Sequence, residues 1–203
     1  MNDEKRTLNE HAVSPVVGVM LMLVVTIIIA AVVSAFSGGL TSDTEKAPSA
    51  SIDVRFMKDD GGMGPAYVET KMVFEHLSGD SIPTKNLNLI TYYTLPNGTI
   101  LKHTQTPSSE SSDLYGYGTF TRVPFINDMS FGYSGNNPDK DFGNYTFKTG
   151  DILSSGSDIG TSAILGFDVT DDTYEFKSGS VVDVKILHTP SGKYILDKEV
   201  IVP

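Results

Sequence analysis

Residues 13–36, VSPVVGVMLMLVVTIIIAAVVSAF, determine how the rest of the chain is interpreted. They follow a short charged leader, residues 1–12, and contain no charged side chain. As an α-helix this stretch would be about 36 Å long, enough to cross the roughly 30 Å hydrocarbon core of a bilayer. A single span in lipid must be helical, because lipid cannot satisfy free backbone N–H and C=O groups. The sequence therefore predicts one long apolar helix near its N-terminus.

The residues at both ends of the apolar stretch favour helix termini. Ser14 followed by Pro15 is typical of an N-cap and a first helical position, where the missing N–H of proline has no consequence. Gly38 and Gly39 favour a stop, because glycine adopts the left-handed conformation that ends many helices. We expect the helix to begin at the boundary with the leader and to end near Ser37.

Three fates of this segment fit its physical properties. A cleaved secretory signal peptide normally has a positive leader and an apolar core of about 7–15 residues. This leader is net negative and the apolar core is longer, although Val33-Ser34-Ala35 would fit a cleavage site. A permanent signal-anchor helix fits the length. Cleavage before the apolar run would instead leave the helix on the mature protein, and the residues alone leave these alternatives open.

The stretch from His11 to Phe36 resembles the N-terminal segment of archaeal type IV pilins. Precursors of that family have a short charged leader and then a Ser-Pro-Val-hydrophobic-Gly sequence at the start of a long apolar helix. The resemblance implies that a prepilin peptidase cuts between Ala12 and Val13. The chain departs from the family pattern at His11, where the family usually has Lys or Arg. The implied helix-start and assembly motif is Val13, Ser14, Pro15, Val16, Val17 and Gly18.

The resemblance also implies a location and a set of partners. The precursor would lie in the cell membrane, in contact with lipid, and the mature subunit would join an extracellular filament at the cell surface. Its partners would be other copies of itself, the prepilin peptidase and the pilus assembly machinery in the membrane. Removal of the leader takes away five charged side chains. Each of these would cost on the order of several kcal/mol to bury in an apolar helix bundle.

Downstream of the helix, apolar and polar residues alternate. Ile52, Val54 and Phe56 are separated by Asp53 and Arg55, and the same pattern recurs in residues 68–75, 87–89 and 182–186. This period of two is typical of antiparallel strands with one face in water. Turn residues at 96–98 and 190–192 favour hairpins. We find no convincing helical period beyond the linker.

These patterns predict an α+β fold, in which the long hydrophobic helix precedes an antiparallel β-sandwich head domain of the immunoglobulin type. We divide the chain into a cleaved leader (1–12), a transmembrane or filament-core helix (13–40), a linker (41–51) and a β-rich head domain (52–203). The stretch His76-Leu77-Ser78-Gly79-Asp80 and the closing residues 181–203 also resemble archaeal pilins, more loosely than the helix does.

Composition limits the chemistry of the chain. It has no cysteine, which excludes disulfides and thiolate sites. Its net charge of −10 argues against a nucleic-acid partner, since phosphate binding needs clustered Lys and Arg. His76, His103 and His188 have no zinc-type spacing, and no nucleophile elbow or phosphate-binding loop occurs. We therefore predict no enzyme activity, no catalytic residue, no cofactor and no metal site.

Two long segments, residues 104–118 and 127–144, interrupt the strand pattern. Loops of this length are often functional or disordered. The aromatic residues in them are interpreted either as side chains that pin each loop to its own domain or as contacts for a sugar ligand: Tyr115, Tyr117, Phe131 and Tyr133. Residues 137–143 resemble the start of a calcium loop, but Lys148 stands where a bidentate Glu is needed.

Asn97-Gly98-Thr99 and Asn144-Tyr145-Thr146 are glycosylation sequons, and we take Asn97 and Asn144 as candidate sites. Taken together, the features predict a structural subunit of an archaeal type IV pilus-like filament. Its helix would polymerise into the filament core and its β head would be exposed for surface adhesion. The alternative is a monomeric cell-surface binding domain held in the membrane by an uncleaved signal-anchor helix.

Overall fold

The chain divides into two compact units, residues 1–44 and 45–203. The computed structural model describes residues 15–40, 45–59 and 68–203. The first unit contains the helix α1 (Pro15–Leu40), and the second contains antiparallel sheets. The predicted α+β class, a long apolar helix followed by antiparallel sheets, is confirmed. The further division of the chain into leader, helix, linker and head domain stays a prediction.

Helix α1 has 26 residues and continues past Ser37 through Gly38 and Gly39 to Leu40. The expected end of the helix is corrected accordingly. Glycine destabilises a helix by about 1 kcal/mol relative to alanine, but it keeps its backbone N–H and so does not interrupt the hydrogen-bond ladder. The proposed N-cap, Ser14, lies outside the described residues.

The second unit begins with a strand that starts inside the predicted linker. The strands, in chain order, are β1 (Ala50–Asp59), β2 (Glu69–Gly79), β3 (Ile82–Pro83), β4 (Leu87–Thr94), β5 (Ile100–Gln105), β6 (Ser112–Asp113), β7 (Phe120–Thr121), β8 (Phe125–Ile126), β9 (Thr146–Phe147), β10 (Ile152–Ser154), β11 (Val181–His188) and β12 (Lys193–Ile201). A short helix, α2 (Asp158–Leu165), lies between β10 and β11.

Two four-stranded sheets form the body of this unit. One has the strand order β1-β2-β10-β8 and the other has the order β12-β11-β4-β5. Strands β3 and β9 form a two-stranded ribbon, and so do β6 and β7. Both large sheets contribute to a single buried core, which includes Val54, Phe74, Leu153, Leu89 and Val184. This arrangement fits a β-sandwich, and its immunoglobulin type stays a prediction.

The predicted alternation matches the burial of the strands. In β1, Ile52, Val54 and Phe56 are buried, whereas Asp53 and Arg55 are half-buried. In β11 the inward residues at 182, 184 and 186 are buried in the same manner. The two predicted hairpins are also present, because β4 pairs with β5 and β11 pairs with β12.

Helix α2 lies in the region after the linker, where the sequence shows no convincing helical period. Its N-cap is Ser157, whose side chain accepts the N–H of Gly160, and its C-cap is Gly166 with φ of 79°. Tertiary contacts hold it in place, since Thr161 Oγ1 donates to the carbonyl of Thr70 at 2.6 Å. Eight residues are too few to show a helical period in the sequence, and contacts with other elements stabilise so short a helix.

Candidate functional site

Helix α1 presents an apolar surface on every side. The segment Val16–Phe36 has a mean hydropathy of 3.2 and is long and apolar enough to cross a membrane. The side chains of residues 16–36 are exposed in the single chain. A helix that is hydrophobic all round is normally buried in lipid or among other helices. The surface of α1 is therefore suited to burial in lipid or among other helices.

The start of α1 coincides with the predicted assembly motif. Pro15 is the first helical residue, where the fixed φ of proline suits a helix start. Val16, Val17 and Gly18 follow in the first turns, and Gly18 has open space around its Cα. Ala12, Val13 and the rest of the processing site lie outside the described residues.

The hydroxyl of Thr26 is compatible with burial in an apolar environment. Its hydroxyl donates to the carbonyl of Leu23 at 2.8 Å, within the helix itself. A buried hydroxyl is costly only when it lacks a hydrogen bond. The middle of α1 can therefore enter lipid or a helix bundle without leaving this group unsatisfied.

The turn His76–Asp80 closes β2 against the start of β1. Asp80 Oδ2 accepts the backbone N–H of Ser49 at 2.9 Å, and the N–H of Asp80 donates to the carbonyl of Ser49. His76 is fully buried, and its Nε2 lies 3.0 Å from the carbonyl of Asp80. These bonds hold the motif against Ser49, directly before β1, so its role is structural.

Two polar side chains of the candidate calcium loop form hydrogen bonds with other parts of the protein. Asn137 donates to the carbonyl of Phe131 at 2.6 Å, and Asp141 accepts the backbone N–H of Arg122 at 3.0 Å. Burial raises the pKa of Asp141. Within residues 15–40, 45–59 and 68–203, no group of three His, Asp or Glu side chains is placed to hold a metal.

The two long interrupting segments meet over the outer face of the first sheet. The Asn136 side chain donates to the carbonyl of Gly118 at 3.1 Å, and the Asn136 N–H donates to the carbonyl of Phe120 at 2.7 Å. Together with the sheet they enclose a cavity of about 310 Å³. Its lining includes Val73 and Ser154 from the sheet, and aromatic side chains from the two segments.

The four aromatic side chains that the sequence identified in these segments are exposed to different degrees. Tyr117 is 87% exposed and Tyr133 is 79% exposed, so the interpretation that they pin their loops to the domain is wrong for these two. Tyr115 and Phe131 are each 44% exposed. Tyr115 and Tyr133 line the cavity. The structure therefore brings together two of the four aromatics that the sequence identified.

Lys140 is a cavity residue that the sequence did not reveal. Its side chain is 2% exposed, and its Nζ donates to the carbonyls of Asp128 at 3.1 Å and Gly132 at 2.7 Å. It also lies 6.0 Å from the centre of the Phe125 ring. Burial lowers the pKa of Lys140, and the negative charge of Asp128 offsets this effect only in part. In the sequence, Lys140 is one lysine in a charged loop, and no local pattern indicates that its side chain is buried.

The two sequons differ in their hydrogen bonds. Asn97 lies at the exposed β4–β5 turn, where its Oδ1 accepts the N–H of Thr99 at 2.8 Å and leaves Nδ2 open to solvent. Asn144 is also exposed, but its Nδ2 donates to the carbonyl of Pro138 at 2.7 Å. A glycan attaches at Nδ2, so Nδ2 of Asn97 is more accessible for glycosylation than Nδ2 of Asn144.

A wider groove of about 720 Å³ lies at one end of the second sheet. Its charged lining is mainly acidic, with Glu175, Asp183 and Glu199 against Lys177. Two of these carboxylates already have cationic partners, Lys185 at 3.2 Å from Asp183 and Lys177 at 3.5 Å from Glu175. This groove therefore resembles a solvated acidic surface more than a prepared site.

The family comparison bears mainly on the first unit. Residues 11–52 match the family model described as archaeal type IV pilin, N-terminal. The chain is similar to an uncharacterized protein of Archaeoglobus fulgidus, with 36% identity over 87 residues. That alignment covers 42% of this chain and 55% of the relative, so the chain spans only about half the length of the curated relative it matches. No solved structure matches the chain.

Proposed function

We propose that the chain is a structural subunit of an extracellular archaeal type IV pilus-like filament, because residues 11–52, which include α1, match the N-terminal family model of archaeal type IV pilins. The observation that carries this proposal is α1, which is 26 residues long, uncharged, and exposed over residues 16–36 in the single chain. Such a surface fits burial among identical helices. The pilin family is structural, in keeping with the predicted absence of enzyme activity.

Two apolar environments can cover α1 in succession. In the precursor the helix lies in membrane lipid, and after cleavage it moves into a bundle of helices from other subunits. Lipid is as apolar as that bundle, so close packing between helices must supply much of the attraction. Copies joined head to tail form an open helical assembly when the rotation between neighbours does not close a ring.

Processing controls the change between these environments. The prepilin peptidase cuts between Ala12 and Val13, and the pilus assembly machinery in the membrane then takes up the helix. The leader must be removed first, because its charged side chains cannot enter an apolar bundle without a large desolvation cost. The new N-terminus at Val13 begins the assembly motif that continues to Gly18.

The head domain completes the proposed subunit. It is exposed along the filament, where it serves adhesion to surfaces. Its acidic character supports solubility outside the cell. Asn97 and Asn144 are proposed glycosylation sites, supported by their exposure.

N-terminal sequencing of the protein recovered from the cell surface tests this proposal directly. A mature chain that begins at Val13 and sediments as very large particles is expected of a filament subunit. A chain that begins at Met1 and remains monomeric in detergent would support the membrane-anchored binding domain instead. A start near Phe36 would mean an ordinary secreted protein and would overturn both functions.

A further inference from the structure

The cavity under the two long loops contains buried polar groups with unused hydrogen-bonding capacity. Lys140 Nζ has three hydrogens, and two of them bond to the carbonyls of Asp128 and Gly132. Ser154 is 6% exposed, and its Oγ accepts the N–H of Gly156 at 3.0 Å. In the described part of the chain its own hydroxyl hydrogen has no acceptor. Buried donors of this kind are normally satisfied, so the cavity offers two donors to a ligand.

The charge of the cavity favours an anionic ligand. Lys71 and Asp59 also line it and pair with each other at 2.8 Å, and Lys71 lies 3.7 Å from Glu69, so these charges already compensate one another. Lys140 forms no salt bridge among the described residues; its Nζ bonds to two carbonyls, and the carboxylate of Asp128 interacts with it only from a greater distance. A buried cation without a salt-bridge partner is unfavourable, and a carboxylate brought in by a ligand would add the direct contact that Asp128 does not make.

The walls of the cavity favour a ring-shaped ligand with an apolar face. Tyr115 and Tyr133 line it from the two loops, and their rings are 44% and 79% exposed. The negative face of an aromatic ring attracts the C–H groups that cover one face of a pyranose. The volume of about 310 Å³ is at the small end of ligand pockets and suits one or two sugar rings.

We propose that this cavity binds an acidic sugar, a pyranose that carries a carboxylate. The carboxylate accepts from Lys140 Nζ, a hydroxyl oxygen of the sugar accepts from Ser154 Oγ, and the sugar ring packs against Tyr133. The inference depends on the proposed function in one respect: it assumes that the head is exposed on the surface of an adhesive filament. Binding itself is a property of each subunit and does not require assembly.

Titration of the full chain in detergent with glucuronic acid and with glucose tests the proposal. The two probes share the ring and differ in the carboxylate. We expect glucuronic acid to bind at least tenfold more tightly than glucose, as measured by calorimetry. Acetate is the third probe, and it should bind much more weakly than glucuronic acid, because it lacks the ring. Equal affinity for the two sugars, or acetate bound as tightly as glucuronic acid, would overturn an acidic-sugar site.

Two variants locate the binding. Tyr133→Ala should weaken glucuronic acid binding about tenfold, whereas Tyr194→Ala, which removes a 52% exposed tyrosine from β12, should not change it. Lys140→Gln should remove the preference for glucuronic acid over glucose. Because Lys140 also holds its loop, circular dichroism must show that this variant is folded, and Tyr133→Ala remains decisive if it is not. Unchanged binding by Tyr133→Ala would overturn the proposal, while filament formation could still be intact.

Discussion

Gly79 ends β2 in a backbone conformation that other residues rarely adopt. Its φ is +111°, and a Cβ at this position would overlap the carbonyl oxygen of Ser49. We expect Gly79→Ala to lower the free energy of unfolding of the head domain by about 2–3 kcal/mol, because strained backbone costs about 1–3 kcal/mol and the overlap adds to it. Denaturant unfolding of the full chain in detergent, followed by circular dichroism, measures the change.

Gly98 provides the matched control for this substitution. Its φ is +83°, but a Cβ there would have no neighbouring atom within 4 Å. Gly98→Ala should therefore cost only about 1 kcal/mol, the penalty of the left-handed conformation alone. If both substitutions cost the same, the close approach of Ser49 to Gly79 does not contribute to stability.

The two sequons allow a prediction about occupancy. Asn97 should carry a glycan on more molecules than Asn144, because Asn144 Nδ2 already donates to the carbonyl of Pro138 whereas Asn97 Nδ2 is open to solvent. Mass spectrometry of glycopeptides from cell-surface protein measures both sites. Higher occupancy at Asn144 would show that the folded hydrogen bonds do not control modification, and two unmodified asparagines would remove both candidate sites.

At the scale of elements, β1 and β12 are joined by an ion pair that should make stability depend on pH. Lys198 Nζ lies 2.7 Å from Asp53 Oδ1, and this hydrogen bond is the main cause that lowers the pKa of Asp53. A carboxyl whose pKa is lower in the folded chain stabilises the fold above its unfolded pKa of about 3.9. That stabilisation is lost as the pH falls from about 3.9 through the lower pKa that Asp53 has in the folded chain.

Lys198→Met should therefore reduce the loss of stability on acidification. The free energy of unfolding of the variant and of the unchanged chain should converge as the pH falls below about 4, because the protonated Asp53 no longer gains from Lys198. Unfolding measured between pH 3 and pH 7 checks this. Lys177→Met is the control, since Lys177 belongs to an exposed pair and is 73% exposed. A constant difference between variant and unchanged chain at every pH would contradict the prediction.

Elements with strong local patterns could be predicted from the sequence, and those that depend on distant contacts could not. The alternation in β1 and β11 follows directly from having one face on the core, so it is visible residue by residue. Helix α2 has only its caps, Ser157 and Gly166, as local signals. Its interior contains Gly160, which lies close to the backbone of Ser155 and so depends on tertiary packing that the sequence does not display.

At the scale of the whole molecule, the candidate cavity also depends on contacts between distant residues, which could not be predicted from the sequence. Loop length and aromatic content indicated segments 104–118 and 127–144, and both contribute to the cavity. Lys140 was not predicted because its burial depends on carbonyls and a ring placed by other parts of the chain. Ser154 was not predicted because a serine at the end of a short strand has many possible environments. Chemistry that arises from residues far apart in sequence is invisible to local patterns.

Assembly of the whole molecule gives the last prediction, which concerns Val24 in the middle of α1. Val24→Asp should abolish filaments while the chain stays in the membrane with its head folded. One Asp costs about 3 kcal/mol at the centre of a membrane helix, and a span with a mean hydropathy of 3.2 can tolerate that cost. In a bundle the same charge recurs in every subunit, so the repulsion and desolvation accumulate along the filament.

The matched control for Val24→Asp places the same charge on the head, at Ile100, which is 64% exposed. Ile100→Asp should leave filaments intact, because an exposed residue of β5 is not part of the proposed bundle. Membrane fractionation, circular dichroism and electron microscopy of negatively stained cells measure location, folding and filaments for both variants. Filaments that persist in Val24→Asp would mean that α1 is not their interior. Filaments lost equally in both variants would contradict the prediction that the effect of the charge is specific to α1, because the head would then also carry contacts that assembly requires.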